Sequence, residues 1–359
     1  MTQSLPTYDT VVVTNTISQD ARDKLAKVFK TVYYRPDNVI PPEELALAEV
    51  FFTNYSGFPK GVTLDQIPNA KVLQLSSAGA GHALAHPILK SAEGRKQITI
   101  SSASGIHSYS IPQYIVAQTI NLYMRIHTQV LVVNSLKRWP DRRTELSTGP
   151  LAHGVHEGNW SLTGRTAGLL GYGHIGRETA RLFKAFNVNV IAANSSGTKR
   201  EDNGYIIPGT GDKDGSIPSK YYSTNDRESF KEFLSKSDIL IASLPSTPQT
   251  TYLLTAEHFK TLPKNAIFIN VGRGDLAHSD DILGALEHHL AGVALDVTDP
   301  EPLPDKHPLF SHPKAIITPH TSGDFEGYFD AGADLLIANI EGARRGEALL
   351  NVIDPEKGY

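Results

Sequence analysis

The chain has no cysteine among its 359 residues, which removes disulfides, thiolate metal centres and cysteine nucleophiles together. It has no run of about 18 apolar residues of the kind that spans a bilayer, and its opening "MTQSLPTYDTVVVTN" lacks a basic region followed by a long apolar stretch. A soluble cytoplasmic protein is the expectation. A large excess of charge of one sign is also absent: the formal net charge is -4, so electrostatics gives no reason to expect nucleic acid or an anionic membrane as partner. The one basic cluster, "KRWPDRR" at 137–143, reads as a solvated face. Chemistry is left to His, Arg, Asp, Glu, Ser or a cofactor.

What is present is an ordinary globular composition, 40% apolar and 20% charged, in a chain longer than one hydrophobic core usually organises. Short β-branched runs alternate with helix-period segments. "TVVVT" (10–14) precedes "SQDARDKLAKVF" (18–29), where Ala21, Leu25 and Phe29 recur at helical spacing after a Ser cap. "AEVFFT" (48–53), "KVLQLS" (71–76) and "QITI" (97–100) continue the rhythm. It restarts beyond a polar, turn-rich stretch at 138–164, with strands expected at 167–170, 188–193, 238–243, 266–270, 292–296 and 315–319. This is the pattern of doubly wound parallel sheets in an α/β protein. Residues 1–103 with 325–359 are expected to form one domain and 104–324 the other, joined through an apolar helix at 111–126. The tail after 319 is expected to pack back on the first domain. The Gly-rich segment 200–228 is too long for a plain connection and reads as a surface excursion.

One turn carries a nucleotide signature. Gly171, Gly173 and Gly176 stand as G-Y-G-H-I-G between a strand and "RETARLFKAF". The first glycine permits the tight turn, the second lets backbone approach a pyrophosphate, and the third allows close helix packing; His174 and Ile175 open a helix whose N-terminus favours anions. At the end of the next strand, where an acid would hold both ribose hydroxyls, stands Asn194. It removes the repulsion of a 2'-phosphate, while Ser195, Ser196 and Thr198 offer hydroxyls and Lys199 and Arg200 two cations. NADP is therefore the preferred cofactor, with NAD the open alternative if the loop is merely polar.

Three more segments sit at C-terminal ends of expected strands, where open α/β sheets build their sites: "INVGRGDL" (269–276), "ALDVTDPEPLP" (294–304) and "ITPHTSG" (317–323). They carry Arg273, Glu301 and His320. A guanidinium can hold a substrate carboxylate and polarise the adjoining carbonyl. An imidazole exchanges a proton near neutral pH, and a carboxylate beside it orients the ring and keeps it protonated.

Taken in order, these motifs resemble the D-isomer-specific 2-hydroxyacid dehydrogenase family over nearly the whole chain, from "LQLSSAGAGHALAHP" (73–87) to "NVID" (351–354), with "LPSTPQTTYLL" (244–254) between. The resemblance implies a Rossmann dinucleotide-binding domain and a flavodoxin-like substrate domain made of both chain ends. It implies reduction of a 2-keto acid to the D-2-hydroxy acid in a cleft between them, and a homodimer. Its catalytic Arg, Glu and His fall on Arg273, Glu301 and His320. It places Ala78 and Gly79 of "SSAGAG" on the substrate carboxylate, Tyr55 of "NYSG" (54–57) at the pocket edge, and Leu244, Pro245, Thr250, Val271, Gly272 and Asp296 along the cofactor. The wording is most similar to NADPH-dependent glyoxylate and hydroxypyruvate reductases. Gln113 stands where many relatives have an acid.

Other readings remain. The same fold can serve as a non-catalytic dinucleotide sensor; the full Arg, Glu and His set argues against that. Formate oxidation on this scaffold is disfavoured by Glu301, because the relative concerned carries an amide there. His82 and His86 lack a third ligand and His288 and His289 sit on an amphipathic helix, so no metal is expected.

Overall fold

The computed structural model describes residues 7–141, 145 and 159–355. Outside them lie the first six residues of the N-terminal stretch, positions 142 and 143 of the basic cluster, most of the turn-rich 138–164 segment and the last four of the tail. The described chain divides into two compact units.

The first unit holds the residues up to Ile106, the short piece Asn203–Ile207 and the residues from Phe325 onward. Its strands are β1 (Thr10–Val13), β2 (Thr31–Tyr34), β3 (Val50–Thr53), β4 (Val72–Leu75) and β5 (Thr99–Ser101). They pair in the order β2-β1-β3-β4-β5, every pair parallel, which is the flavodoxin-like order. Successive side chains take opposite faces. Val11, Val13, Val50 and Phe52 meet the helices Gln19–Val28 and Tyr328–Arg344 on one side, while Val12, Phe51, Leu73 and Ile100 form the core on the other. Ser18 caps the first of these helices, its hydroxyl accepting from Ala21 N–H at 3.1 Å.

The tail returns to this sheet. Val352 bridges Ser101 antiparallel, and Ile353 N–H donates to the Ile100 carbonyl at 2.9 Å. Buried Asn339 donates to Gln74 Oε1 at 3.0 Å and accepts from Leu350 N–H at 2.7 Å. A polar side chain so placed inside a core is tolerated because both ends of its amide are satisfied.

The second unit holds the described residues of His107–Asp202 and Pro208–Asp324. Seven strands form its sheet: β6 (Thr166–Leu170), β7 (Asn189–Asn194), β8 (Tyr221–Ser223), β9 (Ile239–Ala242), β10 (Ile267–Asn270), β11 (Gly292–Leu295) and β12 (Ala315–Ile317). The order is β12-β11-β10-β9-β6-β7-β8, all parallel. Direction of winding reverses between β6 and β9, the position where sheets of this kind open a crevice. The central strands β9, β10 and β11 are buried throughout, and β6 all but its first residue, because both faces are covered, so they read as largely apolar runs.

Two features differ from the sequence reading. The sheet has seven strands where six were expected, and the extra one, β8, lies inside the 200–228 excursion. Its three residues "YYS" are too few to show a period, yet Tyr222 is fully buried against Phe230 and Phe233. The apolar helix at 111–126 is also two helices: Ile111–Met124 stops where Arg125 turns left-handed, φ 53°, and Ile126–Leu136 follows.

Candidate active site

The glycine turn leaves the C-terminal end of β6. Gly171 has φ 98°, the left-handed region that disfavours side chains. A Cβ at Gly176 would lie 2.5 Å from the Gly171 carbonyl oxygen, so the first turn of helix His174–Lys184 closes directly onto the strand end. Gly173 is different: exposed, with nothing within 4 Å of where a Cβ would stand. The three glycines thus divide into two that packing demands and one that faces open space, where a ligand backbone could approach. The helix begins on Gly173 with no side-chain cap and no acid in its first turn, which suits an anion. Ile175 packs into the core, and His174 Nε2 lies 3.2 Å from Asp202 Oδ1.

At the end of β7, Asn194 is engaged with its own loop. Its Oδ1 accepts from Ser196 N–H at 3.1 Å and Gly197 N–H at 2.8 Å, and its Nδ2 donates to the Thr198 carbonyl at 2.9 Å. The Ser196 and Thr198 hydroxyls bond each other at 2.8 Å. Ser195, Lys199 and Arg200 are exposed, and among the described residues neither cation enters a salt bridge. Asn194 therefore shapes the loop, and the side chains left to meet a phosphate are Ser195, Lys199 and Arg200.

The remaining segments leave β9, β10, β11 and β12 at the same edge of the sheet. Leu244 lies over Gly171, whose Cβ would come 3.1 Å from Leu244 Cδ2. Thr250 closes its loop by donating to the Pro245 carbonyl at 2.7 Å. Val271 is buried, and a Cβ at Gly272 would lie 2.6 Å from the Leu244 carbonyl oxygen. The two glycines of "VGRG" are thus packing glycines: at Gly274 a Cβ would sit 1.8 Å from the Thr298 carbonyl oxygen. That contact brings the Arg273 loop against the "DVTDPEP" loop, with Arg273 itself exposed and its Nη1 donating to the Gly272 carbonyl at 2.7 Å.

Glu301 and His320 meet. Glu301 Oε1 lies 2.6 Å from His320 Nδ1, and both side chains remain open to solvent. With the carboxylate on Nδ1, that nitrogen carries the hydrogen and Nε2 is turned to its own task. His320 has φ 54°, a conformation that costs a non-glycine residue roughly 1–2 kcal/mol. Asp296 holds it. The Asp296 carbonyl accepts from His320 N–H at 2.9 Å; its carboxylate accepts from Thr321 N–H at 2.9 Å, Ser322 N–H at 3.0 Å, Ser322 Oγ at 2.5 Å and Thr318 Oγ1 at 2.6 Å. At 2% exposure, the Asp296 carboxylate is committed to the histidine turn.

Two residues of this unit escaped the sequence reading. Tyr114, on helix Ile111–Met124, bonds Thr318 Oγ1 at 2.8 Å and so extends the Asp296 cluster; burial pushes its phenol up to about 12. His107, at the start of the unit, lies against Gly323, whose Cβ would stand 3.3 Å from His107 Cδ2. Burial first, then the positive charge of Arg273 and His174, pushes the His107 imidazole down to about 4. Neither was legible because each acts on partners remote in the chain.

In the first unit, Tyr55 and the Ala78–Gly79 loop follow the neighbouring strands β3 and β4. Tyr55 is exposed and sets its ring edge-on to His82 at 5.3 Å. Ser77 Oγ donates to the Gly79 carbonyl at 2.7 Å, and the exposed N–H groups of Ala78 and Gly79 donate no hydrogen bond among the described residues. His86 Nδ1 caps the short helix Pro87–Lys90 by accepting from Ile88 N–H at 3.3 Å. Among the described residues, no three His, Asp or Glu side chains gather as a metal would require, and no helix is long and apolar enough to cross a membrane.

Comparison with known proteins fits this geometry. Residues 130–322 match the family model described as D-isomer specific 2-hydroxyacid dehydrogenase, NAD binding domain. A glyoxylate reductase of Thermofilum pendens is 27% identical over 293 residues, 80% of this chain and 77% of that protein. A glyoxylate/hydroxypyruvate reductase A of Serratia proteamaculans is 34% identical over 195 residues, 54% of this chain and 56% of the relative, so it is spanned for just over half its length. In fold, the chain is similar to a D-isomer specific 2-hydroxyacid dehydrogenase from Xanthobacter autotrophicus crystallised with NADPH and MES: TM-score 0.70, 22% identity, covering 98% of this chain and 100% of that one. With a nucleotide turn, an arginine loop and a Glu-His pair ranged along one sheet edge inside the matched span, the chain belongs to the D-isomer-specific 2-hydroxyacid dehydrogenases.

Proposed function

We propose that the protein reduces a 2-keto acid to the D-2-hydroxy acid, with NADPH preferred over NADH and glyoxylate or hydroxypyruvate as the leading substrate class. The observation that carries this reading is the 2.6 Å pair of Glu301 and His320 on the same sheet edge as the glycine turn. When bound, the reduced nicotinamide supplies the hydride that the carbonyl carbon accepts. His320 Nε2 gives its proton to the carbonyl oxygen, and Glu301 holds the ring so that Nε2 faces the substrate. Arg273 binds the carboxylate and polarises the carbonyl; a guanidinium keeps its charge at any working pH. The free N–H groups of Ala78 and Gly79 take the second carboxylate oxygen, with Tyr55 bordering the pocket.

The dinucleotide is held by the 104–324 domain, which also carries Arg273, Glu301 and His320, while Ala78, Gly79 and Tyr55 belong to the domain made of both chain ends. Gly171, Gly173, Gly176 and the first residues of the following helix receive the pyrophosphate; Leu244, Pro245, Thr250, Val271 and Gly272 line the rest of the cofactor's path. Lys199 and Arg200 receive the 2'-phosphate. A fold neighbour with NADPH supports the choice of cofactor, and relatives bearing glyoxylate reductase names support the substrate class. The protein is further proposed to act in the cytoplasm as a homodimer. Met124, Ile126, Val130, Leu131 and Val133 expose apolar side chains on consecutive helices, more than a solvated face carries.

A panel of glyoxylate, hydroxypyruvate, pyruvate, phenylpyruvate and branched 2-keto acids, run with NADPH and then NADH, tests the reading. Stereospecific formation of a D-hydroxy acid with NADPH favoured is the expected result. NADPH binding without turnover of any keto acid would instead indicate a dinucleotide sensor.

A further inference from the structure

The variable positions of the glycine turn have a use that the fingerprint does not explain. Arg177, just after Gly176, is 4% exposed. Its Nη2 donates to the Arg200 carbonyl at 2.7 Å, its Nη1 to the Asp212 carbonyl at 2.5 Å, and its Nε lies 3.6 Å from Asp202 Oδ2. Tyr172, between the first two glycines, donates its hydroxyl to Asp212 Oδ2 at 2.6 Å. Glu178 accepts from Gly211 N–H at 2.6 Å. With His174 beside Asp202, four non-glycine residues of "GYGHIGRE" thus meet the excursion that begins at residue 200.

The excursion is in turn closed on itself. Asp202 N–H donates to the Lys213 carbonyl at 2.9 Å, and Asp212 accepts from Ser216 N–H at 3.0 Å and Ile217 N–H at 2.9 Å. Burial acts to raise the Asp212 carboxyl, but the bonds from Tyr172, Ile217 and Ser216 outweigh it and hold the group below its usual range. Gly215, φ 66°, lies against the cation-bearing chain: a Cβ there would come 2.7 Å from the Arg200 carbonyl oxygen and 3.4 Å from Lys199 Cγ.

We propose that Arg177 and the excursion form a clasp that determines cofactor selectivity, by pinning the main chain of Lys199 and Arg200 so that both cations are presented to the adenosine 2'-phosphate. The inference rests on the NADP reading above. Asn194, Ser196 and Thr198 are occupied in closing their own loop, so charge discrimination falls to two long, exposed cations beside the Ser195 hydroxyl. Long side chains lose rotamer freedom on binding, and a fixed backbone lowers that cost. A guanidinium that donates in several directions from a buried position is suited to fixing backbone carbonyls. Arg177 is on this account a positioning residue: it acts through Arg200 and touches no ligand.

The test is calorimetric titration of 2',5'-ADP and 5'-AMP into wild type, Arg177→Met and Gly215→Ala, with circular dichroism and melting to verify folding. Wild type is expected to favour 2',5'-ADP. Both variants should lose about tenfold of that preference, as loss of a charge-assisted contact predicts, with 5'-AMP affinity kept within about twofold. An unchanged ratio in a folded variant overturns the clasp while leaving the NADP reading intact; parallel loss of both ligands overturns it as well, reducing Arg177 to helix support. A wild type that binds both ligands equally overturns the NADP reading and the clasp with it. Should Arg177→Met fail to fold, Gly215→Ala decides, since its change lies away from the helix.

Discussion

At the scale of single residues, the site is a set of polar groups whose partners dictate their roles. His320→Ala should lower keto-acid turnover by about 10²–10⁴-fold, the usual worth of a positioned general acid, with NADPH affinity unchanged. Single-turnover hydride transfer and a cofactor titration measure the two separately; loss of cofactor affinity alone would reassign the residue. His107 makes a prediction in pH. Its imidazole titrates at about 4 in the folded protein against an ordinary 6.5, so between those values the unfolded chain binds the extra proton. Stability from this group is full above pH 6.5 and is lost as pH falls toward 4. Wild type should therefore drop relative to His107→Gln by about 2 kcal/mol between pH 7 and pH 5, read from urea denaturation. Equal losses in both proteins would show that His107 is not the group responsible. Arg273, Glu301 and His320 were readable in the sequence because each sits in a short motif beside a strand end. The commitment of Asp296 to Thr318, Thr321 and Ser322 was not, because its carboxylate meets them only after β11 and β12 pair.

At the scale of elements, glycines separate packing from binding. Gly173 has free space around its missing side chain while Gly176 lies against the Gly171 carbonyl. Gly173→Ala should keep its melting temperature and lose about tenfold or more in NADPH affinity, because the methyl occupies the ligand's approach. Gly176→Ala should be destabilised by about 2 kcal/mol through overpacking before any ligand is added. Thermal melts with and without NADPH distinguish the two; equal destabilisation would mean that Gly173 is structural. The helices and long strands were legible from periodicity, as with Ala21 and Leu25 behind the Ser18 cap. Strand β8 was hidden because three residues carry no period and its apolar partner Phe233 arrives from the next helix. The break at Arg125 was hidden too, since apolar residues continue across it.

At the scale of the whole molecule, the proposed homodimer takes the exposed apolar residues from Met124 to Leu136 as its interface. Sedimentation equilibrium should give a dimer at micromolar concentration, and Leu131→Glu should shift it to monomer by placing a charge in a desolvated contact; a variant that stays dimeric places the interface elsewhere. By itself the sequence determined the α/β class, the glycine turn and the three motifs that carry Arg273, Glu301 and His320, because buried parallel strands demand apolar runs and tight turns demand glycine wherever they occur. Only the tertiary structure decided that a seventh strand lies within the excursion, that Asp296 anchors the histidine turn and that Arg177 is buried against the excursion. The strand needed the apolar Phe230 and Phe233 of the next helix; the other two are bonds between polar groups far apart in the chain, and a polar residue shows which partner satisfies it only once folding has removed both from water.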